Sequence, residues 1–213
     1  PWREQGARPV AEDAPTGETT VTKCLWLALA LVAAACTKPA APEYEATSAP
    51  APVLPRHVVW TDGHHPAAVS SSGAAQCLTT SPAEAARALA QTNAVRAQAG
   101  LGALRTNARL QAAAEAHACD MARRGTMTHV GSTTSGPAAR VKAQGYRPSI
   151  TAENIAAGAA GVFDLDGTLA QWSASPGHRA NIVLPMMREY GVGEALSADG
   201  KTAFWAAVYS DPR

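Results

Sequence analysis

The chain has 213 residues, 46% of them hydrophobic but only 5% aromatic, and a formal net charge of +1. Its length suits one folded domain with added segments, and its hydrophobic share is that of a globular protein. Near-neutral charge without a basic block leaves nothing to neutralise a phosphate backbone, which argues against a nucleic-acid partner.

The N-terminal region reads as targeting sequence. Lys23 precedes "CLWLALALVAAAC", an apolar run of about a dozen residues, too short for a bilayer span and suited to a signal-peptide core. Ala33, Ala34 and Ala35 before Cys36 resemble a bacterial lipobox. Residues 21–35 are therefore expected to be a signal peptide and Cys36 the lipid-bearing first residue of the mature chain, anchoring it to a membrane. Ordinary cleavage after the alanines is the alternative. Residues 1–20 are polar and unlike the start of such a peptide, so translation is expected to begin at Val21. Thr37 behind the anchor suits outer-membrane sorting in a Gram-negative cell. The expected location is extracytoplasmic, as a periplasmic or outer-membrane-anchored lipoprotein.

Residues 36–80 read as a lipid-anchored tether and N-terminal extension. Within them, 37–56 are rich in Pro and Ala and cannot bury a core. "HVVW" has strand character, whereas "DGHHP" and "SSSG" read as loop. His64 and His65, adjacent and without further ligands nearby, read as solvated. Cys77 and Cys119 remain once Cys24 and Cys36 are assigned to the leader and the anchor. An oxidising compartment favours a disulfide between them, two free thiols being the alternative. By the helical repeat, Cys119 falls about half a turn from the apolar face of its helix, so the bridge is expected across the outside of that helix.

From Ser81 the pattern becomes regular. Ser81, Pro82 and Glu84 form a capping-box start, and Ala85, Ala88, Leu89, Thr92, Val95 and Ala99 share one face before Gly100 stops the helix. A second helix is predicted from Asn107 to Gly125, with Leu110, Ala113, Ala114, His117 and Met121 facing inward. His117 reads as a hydrogen-bonded packing residue. "GPAARVKAQGY" suggests a short helix, and "TLAQWSAS" and "SPGHRANIV" suggest two more. "YGVGEAL" and "TAFWAAVYS" alternate as antiparallel strands around the turn "SADGK". Helices followed by late strands give an α+β domain over residues 81–213.

Two motifs compete for the chemistry. "VFDLDGTL" matches the nucleophile string of haloacid-dehalogenase phosphatases, which would make Asp164 the nucleophile. Context refuses it: "AAGAAG" before it is a poor buried strand, and one Lys, Lys201, follows. Asp164 reads instead as a helix cap. The other constellation is "THVGS", "AENIAAG", Trp172, "SPGHRANI" and "YGVG". In that order and at those spacings, residues 81–213 resemble the CAP superfamily (cysteine-rich secretory proteins, antigen 5 and pathogenesis-related 1 proteins), in its compact bacterial branch.

That resemblance implies an α-β-α sandwich with a small antiparallel sheet between helices and a central cleft. In many members two His and two Glu line the cleft and can hold a divalent cation. His129 matches the first His, Glu153 the first Glu and His178 the second His. The second Glu has no counterpart, and Ser175 stands near its place. Cleft residues are thus His129, Glu153, Ser175 and His178, with His129, Glu153 and His178 as the candidate ligands of a zinc or calcium ion.

In "SPGHRANI", Ser175 is expected to cap a helix whose first turn presents His178, the helix dipole opposing its protonation. Glu153 is expected to balance it. The chain then reads as a monomeric module whose cleft binds a small ligand, lipid or peptide, with or without a divalent metal. The alternatives are a metal-assisted hydrolase of peptides or cell-wall components, for which no nucleophile–base pair is evident, and a structural or adhesive surface module.

Overall fold

The computed structural model describes residues 58–213. The expected start at Val21, the signal peptide 21–35, the lipid site Cys36 and the tether 37–56 lie outside the described residues. Among the described residues, no helix is long and apolar enough to cross a membrane.

The elements follow in chain order: β1 (Val58–Thr61), β2 (Ala67–Ala68), β3 (Gln76–Cys77), α1 (Pro82–Gln98), β4 (Arg105–Thr106), α2 (Ala108–Arg124), β5 (Thr126–Met127), α3 (Pro137–Ala143), β6 (Pro148–Ala159), α4 (Leu165–Ala174), α5 (Pro176–Ile182), β7 (Glu189–Leu196) and β8 (Thr202–Pro212). The main sheet has the order β1-β6-β8-β7-β3, with β4 also on β7. Its centre, β6-β8-β7, is antiparallel, while β1 joins β6 and β4 joins β7 in parallel.

Helices cover both faces, and β8 shows why. Ala203, Trp205, Ala207 and Tyr209 enter one core with α1, α4 and α5, while Phe204, Ala206 and Val208 enter the other with α2 and α3. Period-two alternation with both faces apolar is what a central, doubly covered strand requires. The α+β class and the α-β-α layering are those read from the sequence. In β7 the glycines of "YGVG" have a steric reason. A Cβ on Gly191 or Gly193 would strike the backbone of α2 at Leu110–Gln111 or Ala114–Glu115. Hydrogen lets the helix lie directly on the sheet.

Helix boundaries follow the sequence signals. Ser81 and Glu84 form the reciprocal capping box of α1, Asn107 caps α2 and Gly125 closes it. Asp164 caps α4 by accepting from the Gly167 amide at 2.8 Å, which settles "VFDLDGTL" as a helix start. The longest strand, β6, was not legible. Its second half includes the "AAG" dismissed as a poor strand: Ala156 packs in one core and Ala157 against the other, and a Cβ on Gly158 would strike the Phe163 ring.

Residues 58–77 wrap the domain. They supply β1 on one edge of the sheet and β3 on the other, with β2 pairing β5 between them. Both edges are thereby covered by the chain itself. Cys77 closes the wrap through a disulfide to Cys119, Cα atoms 5.0 Å apart. Cys119 is buried among the α2 core residues rather than on the outer side of the helix. The bridge is therefore anchored inside, because β3 comes in beside β7, directly under α2.

Candidate functional site

The site lies where β1 ends beside β6. β1 pairs with β6 up to Thr61–Glu153, and the chain then turns away. Beyond that point the edge of β6 needs new partners, since a buried backbone amide left unpaired is costly. Asp62 supplies one: its Oδ2 accepts from the Ile155 N–H at 2.8 Å. The Ile155 carbonyl accepts from His178 Nε2 at 3.1 Å and Trp172 Nε1 at 3.3 Å.

Four elements converge here. His129 follows β5, Glu153 sits in β6 and His178 lies in the first turn of α5. Asp62 comes from the wrapping segment. His129 Nδ1 donates to Glu153 Oε1 at 2.9 Å and its Nε2 donates to Asp62 Oδ1 at 2.8 Å. His178 Nε2 stands 3.3 Å from Asp62 Oδ2. The two histidines therefore share one hollow, and the Asp62 carboxylate occupies the space between their rings. Gly177 makes this possible, because a Cβ there would collide with the Asp62 carbonyl. That is a physical reason for the Gly before His178.

Glu153 does not balance His178. Its main partner is Arg140 in α3, whose Nη2 donates to both carboxylate oxygens at 2.6 and 2.7 Å. Arg140 also holds the His129 carbonyl at 3.0 Å. His117 reaches the Thr128 carbonyl at 2.9 Å, as a packing histidine should, and lies 3.6 Å from Glu153. Asn181 and Asn154 bond to each other, and Asn154 also holds the His178 carbonyl, fixing α5 on the sheet. Buried Arg96, missed in the sequence, donates to the carbonyls of Ile182, Leu184 and Met187 and secures the end of α5.

Ser175 is the residue before α5, but its hydroxyl makes no capping bond to the helix backbone. It lies 2.9 Å from His178 Nδ1 instead. The structure thus supplies a Ser–His pair where the sequence showed none.

The buried charges of the site compensate one another. Burial works against a charged His129 ring, but its hydrogen bonds to Asp62 and Glu153 outweigh that and push its pKa up to about 9. Burial alone would raise the Asp62 carboxyl, yet bonds from His129 and His178 hold it well below the usual carboxylate range. Glu153 is likewise held low, the charges of His117, Arg140 and His129 overcoming its burial. His117 goes the other way: burial pushes it down to about 4.

The divalent cation that the CAP resemblance implies does not fit on His129, Glu153 and His178 as they stand. Both nitrogens of His129 are donors to carboxylates, and both oxygens of Glu153 are held by Arg140. His178 meets Asp62 rather than Glu153. Asp62 and Arg140, which settle this, were not singled out beforehand. Arg140 carried no sequence signal, being one arginine on a short helix, and Asp62 had only its place in "TDGHHP". His64, read as solvated without partners, is exposed but not alone. Its Nδ1 is 2.9 Å from Asp62 Oδ1 and its ring centroid 4.8 Å from that of His178.

Comparison with known proteins agrees with this architecture. One solved structure of similar fold is an outer surface protein from Borrelia burgdorferi, with 17% identity, a TM-score of 0.53, and coverage of 62% of this chain and 95% of that one. Another is an extracellular protein containing an SCP domain from Bacillus anthracis. It has 24% identity and a TM-score of 0.50, over 60% of this chain and 40% of that one, so this chain matches less than half of that protein's length. None of the curated proteins matches the sequence. The family model described as the cysteine-rich secretory protein family, CAP, matches residues 89–209, more than half of the chain. The chain belongs to the CAP family.

Proposed function

We propose that this is an exported, lipid-anchored CAP-domain binding module, whose cleft at the edge of β6 recognises a carboxylate such as a peptide C-terminus. The lipobox-like run before Cys36 and the Cys77–Cys119 bridge support export. One observation carries the binding reading: three groups converge on a carboxylate, His129 Nε2 at 2.8 Å, the Ile155 N–H at 2.8 Å and His178 Nε2 at 3.3 Å. Charge-assisted bonds of this kind are the strong ones. Asp62 is the built-in occupant, and an outside carboxylate would compete with it. Titrating the full chain with a short acidic peptide and following the ring shifts of His129 and His178 by NMR tests this. Binding is expected to be weak in the wild type and at least tenfold tighter in Asp62→Ala. Unmoved rings in both proteins would remove the reading.

A hydrolase is the second reading, favoured by the Ser175–His178 pair. With Nε2–H directed at the Ile155 carbonyl and Asp62, Nδ1 is free to take the serine proton, which is the tautomer a base needs. It ranks second because Pro176, next to Ser175, has no N–H to steady an oxyanion. Labelling of Ser175 by a fluorophosphonate probe, lost in His178→Ala, is the outcome that would promote it.

A further inference from the structure

We propose that Asp62, His64 and His178 form a site for one divalent transition-metal ion, with zinc as the best fit, and that the ion fastens segment 58–77 over the cleft. Two of its three ligands lie outside the family-matched residues 89–209. The site shares only His178 with the set that the resemblance implied; His129 and Glu153 are taken up by Asp62, Arg140 and each other.

One ligand atom from each of the three residues lies within 4.8 Å of the others. Tetrahedral zinc with bonds of about 2.0–2.1 Å sets its ligand atoms roughly 3.3 Å apart. Asp62 already meets both rings, through different oxygens: Oδ1 is 2.9 Å from His64 Nδ1 and Oδ2 is 3.3 Å from His178 Nε2. Gathering one atom of each residue around an ion takes a turn of the His64 ring, whose side chain is 38% exposed. The other two ligands have side chains at 0% and 1% exposure and are held in place.

Outer partners are already present, as metal-binding imidazoles and carboxylates require. Coordination at His178 Nε2 places the ring proton on Nδ1, where the Ser175 hydroxyl 2.9 Å away accepts it. The Ile155 carbonyl, losing His178 as a donor, keeps Trp172 Nε1 at 3.3 Å and is not left unsatisfied. Two imidazoles and one carboxylate suit zinc, whereas calcium prefers six to eight oxygens.

The test is a Zn²⁺ titration of the purified full chain by calorimetry, with Co²⁺ absorption spectra as a second readout. One ion per chain is expected, with affinity at least tenfold weaker in His64→Ala and in Asp62→Asn. His65→Ala, the exposed neighbour, should stay within twofold of wild type. Zn²⁺ should also slow protease cleavage within residues 62–76 of the wild type. Thermal denaturation confirms that each variant is folded, and the exposure of His64 makes its removal benign. No binding, wild-type binding in His64→Ala, or an equal loss in His65→Ala would each overturn the site. The proposal does not depend on an outside carboxylate ligand, so failure here leaves the peptide titration standing, and the reverse holds too.

Discussion

Two buried carboxylates from two regions of the chain meet on His129, and they are held in different ways. Glu153 lies in β6, inside the family-matched domain, with Arg140 closing on both of its oxygens. Asp62 belongs to the segment that precedes the domain, and its own side chain is buried while Thr61 and Gly63 beside it are exposed. One carboxylate is built into the core; the other is delivered by a strap. Removing a partner of the first should damage the fold, whereas removing the second should open the cleft and leave the fold intact.

The largest expected effect tests the first half of that contrast. Arg140→Met would leave Glu153 ionised and buried beside a single cationic ring. Breaking a buried pair from one side costs about 3–5 kcal/mol. Urea denaturation should show a loss of that size, and adding Glu153→Gln should recover part of it. A loss under about 1 kcal/mol, the scale of an exposed pair, would mean that water reaches Glu153 and that the two carboxylates are alike. Next comes the staple at the end of the strap. Cys77→Ser removes a bridge between residues 42 apart in sequence, a stabilisation of up to about 4 kcal/mol from loop closure. Denaturation of the variant beside the wild type measures it, and an unchanged midpoint would show that β3 is held without the bridge.

Such a division was only half legible in the sequence. Helix starts were, because caps are local: Ser81 with Glu84, Asn107 and Asp164 each announce themselves within three residues. The strands β7 and β8 were, because their alternation is local too. Glu153, His129 and His178 were recognisable through the family resemblance, as positions in a cleft. Their pairing was not, since it depends on Arg140 from another element and on the strap. The strand character of β6 was hidden by Ala156 and Ala157, one packed against each core, and by Gly158, which lies against the Phe163 ring. Asp62 was beyond reach, because what makes it special is a backbone amide at Ile155, and no side-chain pattern records that.

pH should separate the two carboxylates by way of their shared histidine. His129, raised from an ordinary 6.5 to about 9, stabilises the fold fully below pH 6.5, and the contribution fades as pH rises to about 9. His117, lowered to about 4, acts oppositely: its contribution is complete above pH 6.5 and fades as pH falls to about 4. Both carboxylates, held low, lose their contribution further down, as acid protonates them below the usual carboxylate range. Stability is therefore expected to peak near pH 6.5, with the alkaline decline traceable to His129. In Asp62→Ala the His129 ring loses one of its two acceptors, so its NMR titration should move below about 9 and the alkaline decline should begin earlier. A midpoint that stays at about 9 would show that Glu153 alone sustains the charge and that Asp62 is incidental.

The smallest effect on stability is the most discriminating. Gly177→Ala places a methyl group against the Asp62 carbonyl, while giving α5 a better helix former, by about 1 kcal/mol or less at this terminal turn. Those two changes act on different regions, the methyl on the strap and the propensity on the domain. Global stability by denaturation should thus shift by no more than about 1 kcal/mol in either direction. Cleavage within residues 62–76 should meanwhile accelerate, and the His129 midpoint should fall as Asp62 is pushed off its ring. If the strap stays protected and His129 keeps its high midpoint, the close approach at Gly177 is not what seats Asp62. The bonds from His129 and the Ile155 amide would then suffice to seat Asp62 without the gap that Gly177 leaves.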